Sequence, residues 1–168
     1  MATIVSYGRK QQWRNDAIAK LVKDLTQLGE DVIQYVADHP EGYEHQKYNL
    51  YDSISSAVYV DGQLDVNTIR YASINERSTE PYLDRGERGS YEMMTGRDAV
   101  ENYWDTHRKK TRNAAVELVC VAAVYYSGIL EARGVKVISA ITDYLENCMG
   151  RYKSYSPKLM LSSEDKRL

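Results

Sequence analysis

Between Asn15 and Val36 the apolar residues Ile18, Leu21, Val22, Leu25, Leu28, Val32, Ile33 and Val36 return every three or four positions. That repeat lines one face of an α-helix. A stripe of that length cannot stay in water, so the rest of the chain must supply a layer for it to lie against. Asn15 or Asp16 can cap the start, and DHPEG, Asp38 to Gly42, stops the helix because proline disfavours helical backbone at the residue before it. Gly29 inside the stripe costs about 1 kcal/mol against alanine.

The layer is expected to be a sheet. YNLYDSISSAVYVDG, Tyr48 to Gly62, brings Ile54, Ala57, Val58, Tyr59 and Val60 to an Asp-Gly pair. This is a strong hairpin signal, because glycine accepts positive φ. The return strand lies in Gln63 to Ile74. In this reading Ile54 and Val58 face the core, while Tyr59 and its neighbours face water or another subunit. Asn75 to Arg97 is charged, holds one proline and three glycines, and has no steady period. It is expected to be a long loop at 75–97, and loops longer than about 15 residues in compact domains usually carry function. Tyr82, Tyr91, Met93 and Met94 are its expected partner contacts.

Thr95 with Asp98 forms a capping-box pattern ahead of Val100, Tyr103 and Trp104, a short helix. Ala114 to Tyr126 is the most apolar and β-prone run, expected as the central strand. SGILEARG reads as a helical turn closed by Gly134, VKVI as a last strand, and SAITDYLENCMGRYK as a final helix with Ile141, Tyr144, Leu145, Cys148 and Met149 on one side. The expected fold is α+β: an antiparallel or mixed sheet packed by the long N-terminal helix and a C-terminal helix. One domain spans 1–153, with a polar C-terminal tail at 154–168 whose apolar run Leu159, Met160 and Leu161 is a further expected contact.

Composition narrows the function classes. With 43% hydrophobic and 27% charged residues the chain has the make-up of a globular protein, and its net charge of -2 creates no global field towards nucleic acid or an acidic surface. Fifteen tyrosines and no phenylalanine give aromatic area that carries hydroxyls, a character enriched at interfaces. MATIVSYGRKQQWR lacks a signal-peptide apolar core and no run approaches the ~20 apolar residues of a membrane span, so cytosolic synthesis without membrane contact is expected.

Chemistry finds no foothold. Cys120 and Cys148 match no metal or redox spacing and are expected as reduced core residues. His39 and His45, with Glu41 and Glu44 nearby, match no ligand pattern, so neither a metal nor a cofactor is expected. DRGERGSYE lacks the context of a phosphate cradle. Ser53, Ser55 and Ser56 have no nucleophile-elbow setting, and Glu30 and Asp31 are adjacent and do not share a helix face. No catalytic residue is assigned, and the chain is not expected to be an enzyme. The sharpest charge cluster is HRKKTR, where Arg108, Lys109, Lys110 and Arg112 could meet nucleic-acid phosphates by charge alone. The same cations also suit a helix C-terminus.

Several of these stretches resemble the phage tail-completion, tail-terminator and head-to-tail joining (neck) proteins. In that family an R-T-G-N-L-x-x-S motif leads into a strand. Here Asn49, Leu50 and Ser53 match it, and Lys47 and Tyr48 stand where threonine and glycine are favoured. VAAVYYSGILEARG resembles the family's Y-A-x-x-x-E-x-G region, with Tyr126, Glu131 and Gly134 in place and Ser127 replacing alanine. GRDAVENYW resembles the preceding helix in versions from phages of Bacteroidetes hosts. The resemblance spans most of Ala17 to Arg151. It implies a virion protein of the neck or upper tail, made in the host bacterial cytoplasm, in a homo-oligomeric ring of roughly six or twelve subunits. Portal, neck or tail-tube proteins would be its neighbours, with non-specific DNA contact in the channel. The other reading of the residues is a small soluble adaptor binding through a tyrosine-rich surface.

Overall fold

The computed structural model describes residues 7–39, 49–72, 81–85, 91–109 and 115–149. The periodic N-terminal stripe forms α1 (Tyr7–Asp38), longer at both ends than its apolar pattern. A buried turn of helix, α2 (Asn49–Asp52), leads into β1 (Ile54–Val60). Asp61 and Gly62 then reverse the chain with φ of 48° and 76°, the doubly positive turn that the Asp-Gly pair predicts. β2 (Gln63–Tyr71) returns antiparallel to β1. Later come β3 (Tyr82–Arg85), β4 (Tyr91–Met94), α3 (Gly96–Thr106), β5 (Val116–Ala122), α4 (Ser127–Ala132) and α5 (Ile138–Met149). The fold is α+β, with a three-stranded antiparallel sheet ordered β2-β1-β5.

The expected central strand is therefore displaced. β1 takes the middle and β5, the most apolar run, takes an edge. β1 is buried from Ile54 to Tyr59 despite Ser55 and Ser56, because α1 covers one face and α3 the other. On the α1 side Ile54 joins Val32, Ile33 and Val36, and on the α3 side Ala57 and Tyr59 join Val100, Trp104 and Val121. Each of the buried valines and isoleucines contributes roughly 1.5–3 kcal/mol by burial. Tyr59 does not face water or a subunit: it is 1% exposed and its hydroxyl donates to the His107 carbonyl. Burial, with Tyr103 and Glu117 nearby, pushes its phenol up to about 12.

The hairpin register slips between Ser56 and Val58, where β2 bulges. Thr68 repairs the gap: its Oγ1 accepts from the Val58 N–H at 2.8 Å and donates to the Asp65 carbonyl at 2.7 Å. The segment expected as one loop at 75–97 instead holds a second antiparallel pair, β3 with β4, and the first turn of α3. Its strands are too short and too charged to announce themselves by period. VKVI is not a strand. Gly134, at φ 88°, ends α4, and buried Val137 leads directly into α5. The capping box of α3 forms as its sequence predicts, with Thr95 and Asp98 bonded reciprocally. The Thr95 backbone and hydroxyl hydrogen bonds hold Asp98 below the usual carboxylate range.

Candidate interaction surfaces

The motif residues fall at internal joints. Asn49 Oδ1 accepts from the Gly96 N–H at 2.8 Å, tying α2 to the start of α3. Gly96 permits the approach, since a Cβ there would lie 2.0 Å from the Asn49 carbonyl oxygen. Leu50 is in the core, and Ser53 is fully buried with its hydroxyl donating to the Leu50 carbonyl at 2.6 Å. Buried Asp52 meets Arg97 at 3.5 Å, and the Arg97 guanidinium lies 3.8 Å over the Tyr71 ring. Burial, with Glu101 nearby, raises the Tyr71 phenol against the opposing effect of Arg97.

Glu131 joins α4 to α5. Its carboxylate accepts from the N–H groups of Val137 at 2.8 Å, Ile138 at 2.9 Å and Ser139 at 3.0 Å, and from the Ser139 hydroxyl. It thus satisfies the unpaired amides at the start of α5 and places a negative charge on the positive end of the helix. Burial alone would raise its carboxyl, but the hydrogen bonds from Ser139, Val137 and Ile138 outweigh that and hold it low.

The expected contact residues divide. Tyr82 is half-buried and packs inward, its ring edge-on to Tyr126 at 5.4 Å and stacked with Tyr125 at 6.5 Å. Met94, across the hairpin from Tyr82, also packs on the core, while Met93 on the other side is 62% exposed. Tyr91 pairs with Arg85 in the ladder. Leu159, Met160 and Leu161 lie outside the described residues, as do Lys110, Arg112, His45, Glu41 and Glu44. Arg108 is exposed and paired with Asp105 at 2.5 Å, its carbonyl accepting from the Leu64 N–H. Lys109 bridges to Gln63, so this basic turn covers the start of the β2 edge.

Other side chains considered for chemistry are occupied or enclosed. Ser55 Oγ donates to the Arg70 carbonyl at 2.6 Å and accepts from Trp104 Nε1 at 2.9 Å. Ser56 Oγ is buried against Gly29 of α1 and has no hydrogen-bond partner among the described residues. Both cysteines are free thiols, and burial pushes Cys120 up to about 12. His39 stacks on Tyr35 at 4.4 Å beside a groove of 160 Å³ that is also lined by Lys136, Asp143, Tyr144 and Asn147. Among the described residues no group of His, Cys, Asp and Glu is arranged to hold a metal, and no helix is long and apolar enough to cross a membrane. Among the described tyrosines Tyr51 and Tyr59 are buried and Tyr71, Tyr82, Tyr103, Tyr126 and Tyr144 half-buried, while Tyr35 and Tyr125 are exposed.

Two unlike surfaces remain uncovered among the described residues. The first is the N-terminal part of α1. At 1.5 Å per residue α1 is roughly 48 Å long, against roughly 23 Å for β1. Gly29 sits over Ser56, so the helix overshoots the sheet at its N-terminal end. Gln12 to Ala17 are exposed, Trp13 by 74%, and Ile18, Leu21, Val22 and Leu25 are only half-buried. The second is the outer edge of β5. Ala123 N–H donates to the Ser53 carbonyl and Asp61 N–H to the Ala115 carbonyl, at either end of the β1–β5 ladder. Antiparallel alternation then makes Glu117, Val119 and Val121 the positions bonded to β1, and turns the backbone groups of Val116, Leu118 and Cys120 outward.

Compared with protein-family models, with curated proteins and with solved structures, the chain has no match in any of the three.

Proposed function

We propose that this chain is a structural ring component of a tailed-phage virion at the head-tail connector or neck, a tail terminator or tail-completion protein that forms part of the DNA channel. The observation that carries the reading is the pair of unlike surfaces left uncovered among the described residues, the overhanging α1 with Trp13 and the outer edge of β5. Head-to-tail association uses two different patches per subunit and closes into a ring when the rotation closes. A lone helix end is marginal in water, and an exposed apolar strand edge is a template for pairing, so both gain from a neighbour.

The motif residues support the same reading from inside. Asn49 fixes α2 to α3, Ser53 closes the turn of α2, and Glu131 fixes α4 to α5, as a rigid subunit needs. Exposed Met93 extends the contact surface towards portal or tail-tube neighbours, and Arg108 and Lys109 offer the channel side its cations. An adaptor binding through tyrosines has less support, because most of the described tyrosines pack inward. Light scattering on the purified chain over a concentration series, alone and with the portal protein of its phage, tests the proposal. A ring mass, alone or on the portal, is expected. A monomer under every condition, with no co-migration, overturns it.

A further inference from the structure

The two edges of the sheet are unequal. The β2 edge is blunted: its bulge breaks the ladder, Arg108 and Lys109 cover its start, and Arg70 reaches Glu30 of α1 at 3.6 Å. Among the described residues the β5 edge has none of these protections. Val116, Leu118 and Cys120 present outward backbone groups, and VELVCVA carries one charge, Glu117. Among the described residues its far end alone is closed, where Ser127 Oγ donates to the Ala122 carbonyl at 3.2 Å. A straight, apolar, half-exposed strand of this kind binds an extended segment by main-chain hydrogen bonds.

The chain itself supplies a segment of matching chemistry. Residues 150–168 follow α5, and their one apolar run, Leu159 to Leu161, comes directly after Pro157 and Lys158. Lys158 brings a cation to the strand whose one charge is a carboxylate. α5 ends near His39, at the opposite end of the sheet from the Asp61-Gly62 turn, because Asn147 shares the His39 groove. Residues 150–157 can extend up to about 27 Å, enough to leave their own subunit.

We propose that residues 157–161 of one copy pair as a fourth strand on the outer edge of β5 in the neighbouring copy. This rests on the ring reading and gives it a mechanism: each subunit donates a tail and accepts one. Pairing in trans fills every β5 edge around a closed ring, whereas a tail folded back on its own β5 would use both surfaces without joining anything.

The test is disulfide trapping in the full chain, in a Cys120→Ala, Cys148→Ser background that removes both native thiols. Val119 occupies the position where an incoming antiparallel strand makes its closest approach, about 4.5 Å between Cα atoms, which suits a disulfide. One protein carries Val119→Cys and the other carries Leu159→Cys, Met160→Cys or Leu161→Cys. The two are mixed and oxidised. Val116→Cys replaces Val119→Cys if circular dichroism shows the latter to be misfolded.

A covalent heterodimer that forms in the mixture, and not from either protein alone, is the expected result. A homodimer from Val119→Cys alone means that β5 pairs with β5 of a second copy, and overturns the proposal. So does a double variant that crosslinks only within one chain. If light scattering finds a ring yet no crosslink forms at any of the three positions, the strand proposal fails and the ring reading stands. A monomer with no crosslink removes both.

Discussion

Replacing Glu131 with glutamine removes the charge at the start of α5 while keeping the side chain's shape. In the folded chain the carboxylate accepts three backbone N–H groups and the Ser139 hydroxyl. The amide keeps one acceptor oxygen and turns an NH2 group towards donors. Losing a helix cap costs about 0.5–2 kcal/mol, and hydrogen bonds to a charged group contribute about 1.5–3 kcal/mol. Glu131 is only half-buried, so solvent screening favours the lower part of these ranges, about 1–2 kcal/mol in all. For a chain of this size that corresponds to a fall in melting temperature of about 3–6 °C.

The dependence on pH gives the sharper assay. The folded carboxyl of Glu131 is held below its ordinary value, so its contribution is fully present above the unfolded value near ~4.3 and is lost as pH falls through the folded one. Asp98 is depressed too and titrates in the same window, so the readout is the difference between parent and Glu131→Gln in a thermal or urea series from neutral to acid pH. The difference should be widest at neutral pH and shrink in acid. Equal melting temperatures at neutral pH, or a gap that stays constant into acid, would refute the capping role.

Gly96→Ala should cost about 3 kcal/mol in urea unfolding, because its Cβ would lie 2.0 Å from the Asn49 carbonyl oxygen, where only backbone movement can make room. Ser56→Ala should hold or raise the urea midpoint, since it removes a buried hydroxyl with no partner among the described residues. A loss above about 1 kcal/mol would reveal a partner for that hydroxyl. Trp13→Ala should leave monomer stability within about 0.5 kcal/mol while weakening self-association in light scattering. Unchanged association would remove α1 from the contact.

The sequence by itself determined the elements that depend on local chemistry. The helical stripe from Ile18 to Val36, the doubly positive Asp61-Gly62 turn, the Thr95–Asp98 box and the Gly134 stop all formed as their residues dictate. Each is settled within a few residues, by side-chain period, by φ or by a capping hydrogen bond. The tertiary structure alone decided which strand is central, because burial of β1 on both faces depends on α1 and α3 arriving from distant parts of the chain. It buried Ser55 by giving it to Trp104, a pairing across 49 positions, and it buried Tyr59 on the His107 carbonyl across 48. It turned Glu131 from a motif letter into a cap, and Gly29 from a weak point of a helix into a close approach to the sheet. It also left β5, the most apolar run, at an edge. Hydrophobicity specifies that a residue leaves water, and only the long-range packing specifies against what.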